Sequence, residues 1–149
     1  FTRKPKKVLY EITMNIELVF GVVGYFANIF LIIQKNLPMF DFFVLTIFFV
    51  STFCLFEYIG YKQNKQTLTH DILSGNLWPI LFIIIANIIA IILIEFVNAP
   101  FQVWHFANWP LDHIRFLNVP IVAFLLWPIQ FPVFLSMLRA VFPSKEVVW

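Results

Sequence analysis

Apolar residues come in four long blocks along this chain, at about 9–33, 40–60, 72–97 and 115–142. Each block is long enough to cross the roughly 30 Å hydrocarbon core of a bilayer as an α-helix. Polar residues collect between the blocks. Residues 34–39 read as a tight turn, and 61–71 (YKQNKQTLTHD) as a short polar connection. The 98–114 connection (NAPFQVWHFANWPLDHI) is longer and rich in aromatic rings. The pattern predicts an all-α integral membrane protein: one bundle of four transmembrane helices over 1–149, with no second domain.

Composition agrees. Of 149 residues, 61% are hydrophobic and 12% charged, and mean hydropathy is +0.87. Twenty Phe and five Trp exceed what a small aqueous core can hide. Counting Lys and Arg sets the orientation. With the N-terminus inside, Arg3, Lys4, Lys6, Lys7, Lys62, Lys65, Arg139 and Lys145 lie inside, against Lys35 and Arg115 outside. Both termini are expected on the cytoplasmic side, with the aromatic connection outside. The basic N-terminal cluster also suits an anionic inner leaflet. A net charge of +2 gives no reason to expect nucleic acid. The lone Cys54 can form no internal disulfide. No Gly-rich phosphate loop, zinc-type Cys pair or nucleophile elbow is present.

Polar residues inside the blocks are the informative ones, because a carboxylate in hydrocarbon is costly and faces protein or water. Glu17 lies about four residues, or roughly 6 Å, from the centre of the first block. Glu17, Gly21, Gly24 and Asn28 share one helix face, where small residues permit close helix approach. In the third block Asn87, Ile91, Glu95 and Asn98 share a face, with Ala86 and Ala90 as a small-residue pair beside it. Gln130 falls near the middle of the fourth. Glu17, Asn87, Glu95 and Gln130 are therefore the expected intramembrane polar cluster, and Gly21, Gly24, Ala86 and Ala90 the packing seam. Glu11, Asp41 and Glu57 lie near block ends and are expected to reach water or headgroups.

Pro120, Pro128 and Pro132 interrupt the fourth block, and each removes a backbone donor. A bent fourth helix makes a concave wall that Phe124 and Trp127 can line. That suits a long apolar ligand such as a lipid or polyene. In the 98–114 connection, Phe101, Trp104, Phe106 and Trp109 are expected at headgroup level. Pro100 and Pro110 bound a segment that can form a short surface helix. His105, Asp112 and His113 lack the helical spacing of a metal site, and no metal is assigned. Asp112 is instead placed as the cap of the fourth helix. Trp104, His105, Trp109 and Arg115 are the candidate lipid or headgroup contacts, with Arg115 set to hold a lipid phosphate or Glu95.

The segment WHFANWPLDHIRFLNVPI, residues 104–121, resembles the small membrane lycopene cyclase domain of carotenoid synthesis. Ile114, Arg115, Leu117, Val119, Pro120 and Ile121 match that family's I-R-x-L-G-[LV]-P-[IL]-E-E pattern. Asn118 stands in the place of its Gly. The resemblance implies a helical membrane protein that handles an isoprenoid. The family's paired carboxylates, the expected acids for protonating a polyene, fall at Val122 and Ala123 here. If the chemistry is present, Glu17 or Glu95 has to supply the acid.

These residues support three readings. The favoured one is a non-catalytic subunit, or a lipid- or isoprenoid-binding component, of a membrane assembly. The others are a cyclase-like isoprenoid-modifying enzyme and a small transporter. A lipid or carotenoid is the candidate bound molecule. Membrane lipids, other membrane subunits or a second copy are the expected partners. The host is expected to be a bacterial-type inner membrane or an organelle membrane.

Overall fold

A computed structural model describes residues 7–34, 40–101, 103, 109–116 and 118–142. Helices α1 (Lys7–Ile33), α2 (Phe40–Lys62) and α4 (Trp78–Phe101) are each long and apolar enough to cross a membrane, as is the composite span Ile121–Val141. The fold is therefore an all-α bundle with four membrane-spanning segments. Its interior is more polar than its surface. Glu57, Asn87, Glu95 and Ser136 are each 1% exposed, while Val8, Phe26, Ile33, Phe96 and Phe101 point outward. An apolar exterior is what a lipid solvent selects, and intramembrane polar groups then turn inward.

Helices α1 and α2 run antiparallel. The Tyr10 ring meets Tyr61 edge-on at 5.1 Å near one end, and Asn28 Nδ2 donates to the Val44 carbonyl (3.2 Å) toward the other. The last span packs on α2 and on α4, so α1 and α4 form the flanks of the bundle. The start of α1, the end of α2 and the end of the last span share one end of the molecule. Lys65 Nζ fixes this by donating to the carbonyls of Ala140 (2.6 Å) and Phe142 (2.8 Å). These carbonyls close the last helix, where a cation is favoured by the helix dipole.

Two connections differ from expectation. Residues 61–71 are not a plain polar loop, because Leu68–Leu73 forms a short helix, α3. Thr67 caps it, its hydroxyl accepting from the His70 backbone N–H at 3.0 Å. Gly75, at φ 80°, ends it. The Asn76 N–H reaches the Asp71 carbonyl (2.8 Å) and the Gly75 N–H the Ile72 carbonyl (3.0 Å), a Schellman closure. The third span therefore starts at Trp78 rather than near 72, and runs through Pro100 to Phe101.

The fourth span starts at Ile121, not 115. Arg115–Phe116 (β1) and Val119–Pro120 (β2) pair antiparallel in a small hairpin. Its turn needs a left-handed residue, and Asn118 supplies one at φ 65°. The last span is then broken as expected. Ile121–Leu126 (α5) leads into a 3₁₀ turn at Trp127–Ile129, followed by Gln130–Val141 (α6). Pro128 and Pro132 withhold their N–H groups from the carbonyls one turn earlier, which loosens the α-helical ladder there.

Candidate functional site

Two regions carry chemistry: a polar knot at the α3 end and a pair of apolar cavities beside the proline break.

The knot is built by α3 folding back between the spans. Thr69 holds two carboxylates at once. Its backbone N–H donates to Glu57 Oε2 (2.6 Å), and its hydroxyl donates to Glu17 Oε1 (2.6 Å). Ser136 Oγ donates to the other Glu57 oxygen at 2.7 Å. One turn along α6, Arg139 Nη1 pairs with Asp71 Oδ2 at 3.1 Å, with side chains only 8% and 3% exposed. Gln66 Nε2 donates to the second Asp71 oxygen, and the Tyr10 hydroxyl bonds Thr67 Oγ1 at 2.9 Å. The knot thus ties α1, α2, α3 and α6 together through charge-assisted hydrogen bonds.

This corrects the expected cluster. Glu17 is bonded to Thr69, not to Asn87 or Gln130. Glu57 is an interior residue, not an interfacial one. Glu95 bonds Asn98 Nδ2 (3.2 Å) on the buried face of α4, apart from the knot. Asn87 is buried on the same face, and neither amide atom has a partner. Thr69, Asp71, Ser136 and Arg139 were not singled out from the sequence. The i, i+3 spacing of Ser136 and Arg139 was their available signal, since it marks one polar face on α6.

The glycine part of the expected seam is where α1 meets α2. A Cβ on Gly21 would come within 2.7 Å of Leu55 Cγ and Cδ2, and 3.2 Å of the Ser51 carbonyl oxygen. One on Gly24 would run into Ser51 Oγ. The alanine part is not a seam within this chain, because Ala86 is exposed and Ala90 only half-buried.

The cavities flank the proline break. One, of about 270 Å³, lies against α2 and is lined by Thr46, Phe49, Trp109, Ala123, Trp127 and Gln130. The other, of about 420 Å³, lies against α4 and is lined by residues including Ile84, Ile88, Phe124, Pro128 and Pro132. Trp127 lines the first cavity and Phe124 the second. Gln130 belongs to the first cavity, not to the Glu17 knot.

Trp109 is half-buried against Phe42, with ring centroids 5.6 Å apart, so it closes the first cavity rather than only meeting headgroups. Arg115 forms its ion pair with Asp112 (2.5 Å) rather than with Glu95, and also donates to the carbonyls of Asp112 (2.9 Å) and Asn118 (3.3 Å). Asp112 therefore braces the hairpin and caps no helix. Trp104 and His105 lie outside the described residues. Among the described residues no group of three or more His, Cys, Asp or Glu is placed to hold a metal ion. Comparison with protein-family models, curated proteins and solved structures finds nothing that matches this chain.

Proposed function

We propose that this chain is a lipid- or isoprenoid-binding membrane protein whose last span forms the binding wall. The observation that carries this is the pair of apolar cavities on either side of the Trp127–Ile129 break. Binding sites for apolar molecules are concave, mostly apolar and largely pre-formed. The Pro128 and Pro132 bend supplies such a shape at membrane depth. The Lys-bearing end, with Lys7, Lys62 and Lys65, faces the cytoplasm or its organelle equivalent. A bacterial-type inner membrane or an organelle membrane is the host.

The cyclase alternative needs an acid at the cavity wall. Val122 and Ala123 stand where the resemblance puts one, and the described lining residues of both cavities are uncharged. Binding without chemistry is therefore the better-supported reading.

The test is extraction and mass spectrometry of apolar molecules that stay with the purified protein. Ala123→Leu narrows the first cavity and Ile84→Phe the second, each at an overpacking cost of about 1–3 kcal/mol. Helical content and elution volume report whether each variant stays folded. The expected result is a co-purifying lipid or isoprenoid that falls about tenfold in occupancy in at least one folded variant. Equal occupancy in the wild type and both folded variants contradicts the proposal.

A second reading, a subunit within a larger assembly, is favoured by Asn15. It lies inside α1 yet is exposed, among outward-facing Ile12, Val19 and Val22. An amide facing lipid gains a hydrogen bond by meeting another helix, worth about 0.6–2 kcal/mol. Asn15→Leu should weaken association about three- to tenfold in mild detergent, as read by sedimentation. An unchanged sedimentation profile removes the support for this reading.

A further inference from the structure

Gln130 sits at the middle of the Ile121–Val141 span, a depth at which a polar side chain without a partner is costly. It lines the first cavity from α6, and Thr46 lines it from α2. Among the described residues neither side chain has a hydrogen-bond partner. Farther along α2, Ser51 and Thr52 return their hydroxyls to the Ile47 and Phe48 carbonyls at 2.6 and 2.7 Å. The Thr46 hydroxyl makes no such bond to the turn before it. Both residues are half-buried, and their polar atoms are not sealed into the packing as those of Asn87 are. The first cavity therefore has an unused hydroxyl and an unused amide, one from each of two packed helices. The side chains that line the second cavity are hydrocarbon throughout.

The rest of the lining narrows what fits. Phe49, Trp109 and Trp127 present aromatic rings, which pair favourably with another ring. The volume of about 270 Å³ exceeds the roughly 150 Å³ that accepts a benzene ring. No described lining residue is charged, so an ionic head would go uncompensated. Leu45 and Val50 line the cavity and are each 42% exposed on the apolar exterior, so its mouth opens sideways into the bilayer.

We infer that the first cavity takes the head of a membrane-borne quinone: a neutral planar ring that carries carbonyl oxygens and an apolar tail. Gln130 Nε2 and Thr46 Oγ1 donate to the carbonyl oxygens, and the tail passes Leu45 and Val50 into lipid. This rests on the lipid-binding reading above and names the ligand class of one of its two cavities. A ring with carbonyls uses both donors. A hydrocarbon ring leaves both unpaired, and a site built to hydrogen-bond rejects such an analogue. An alkyl alcohol offers one oxygen and no ring for the aromatic walls.

The experiment titrates decylubiquinone, and separately decylbenzene, into nanodiscs holding the full chain, with empty nanodiscs of the same lipid as the baseline. Bound molecules are extracted after gel filtration and quantified by chromatography. The wild type should hold the quinone in saturable excess over the baseline and prefer it to decylbenzene about tenfold. Thr46→Val and Gln130→Met each remove one donor at nearly constant shape. Each should lower quinone affinity about three- to tenfold and leave decylbenzene unchanged. Thr46→Ser keeps the hydroxyl and should keep the quinone, which separates loss of a donor from a change in packing. The two donors lie on different helices, so a variant that fails to fold leaves the other to be read. If the wild type holds both probes equally, or a folded donor variant keeps full quinone affinity, the inference is overturned and these groups meet only water. If neither probe binds above the baseline, the inference also falls. The lipid-binding reading falls with it only if co-purified lipid is also unchanged in Ala123→Leu and Ile84→Phe.

Discussion

Replacing Arg139 with Met is expected to cost about 3–5 kcal/mol, a large fraction of the roughly 5–15 kcal/mol that holds a typical domain folded. Asp71 and Arg139 are both nearly buried, and Asp71 also accepts from Gln66. Removing the guanidinium leaves a carboxylate enclosed with no counter-charge, at the point where α3 is held to α6. The loss comes from that stranded charge more than from the attraction itself. The double variant Asp71→Asn with Arg139→Met removes both charges, so it should be markedly more stable than Arg139→Met alone. Unfolding in mixed micelles of a mild detergent and SDS reads both. A single-variant loss below about 1 kcal/mol would mean the pair behaves like an exposed one.

The second large effect is at Gly21. A methyl group there meets the Leu55 side chain and the Ser51 carbonyl oxygen. The Leu55 side chain can move, but the backbone oxygen cannot do so without shifting α2. Gly21→Ala should cost about 1–3 kcal/mol, and Gly21→Ile should exceed that by forcing α1 away from α2. Gly24 differs, because its obstacle is the Ser51 hydroxyl, bonded at 2.6 Å to the Ile47 carbonyl. The same unfolding assay, with a cysteine cross-link between α1 and α2, reads the separation. A fully stable Gly21→Ile variant with its cross-link intact would mean the two helices do not depend on this close approach.

The spans and the α1 seam were legible because they are local. Hydropathy marks a block of twenty or more apolar residues, and the helical repeat puts Gly21, Gly24 and Asn28 on one face. The proline break was legible for the same reason, since Pro128 and Pro132 act on carbonyls one turn away. The polar knot was not legible. Thr69 meets Glu17 across 52 residues, Arg139 meets Asp71 across 68, and Ser136 meets Glu57 across 79. Glu57 looks interfacial by position, but Thr69 of α3 and Ser136 of α6 enclose it. The hairpin was hidden by its own composition, since Arg115–Pro120 continues the apolar pattern of the span that follows. Asn118, whose left-handed φ makes the turn, was the local signal there.

Asn87 shows the same limit from the other side. Its face on α4 was readable from spacing, and its burial follows from that face. What it touches depends on where the broken last span lies. That geometry leaves both its amide atoms buried without a partner instead of bonded to Glu17.

The most direct test of lipid binding at the last span is an experimental density map of the protein in nanodiscs made from its own membrane lipids. Elongated, chain-like density is expected in one or both cavities flanking Trp127–Ile129, in contact with Phe124 or Trp127. Cavities closed by repacking of α4, or filled by side chains of a neighbouring protein, would contradict it.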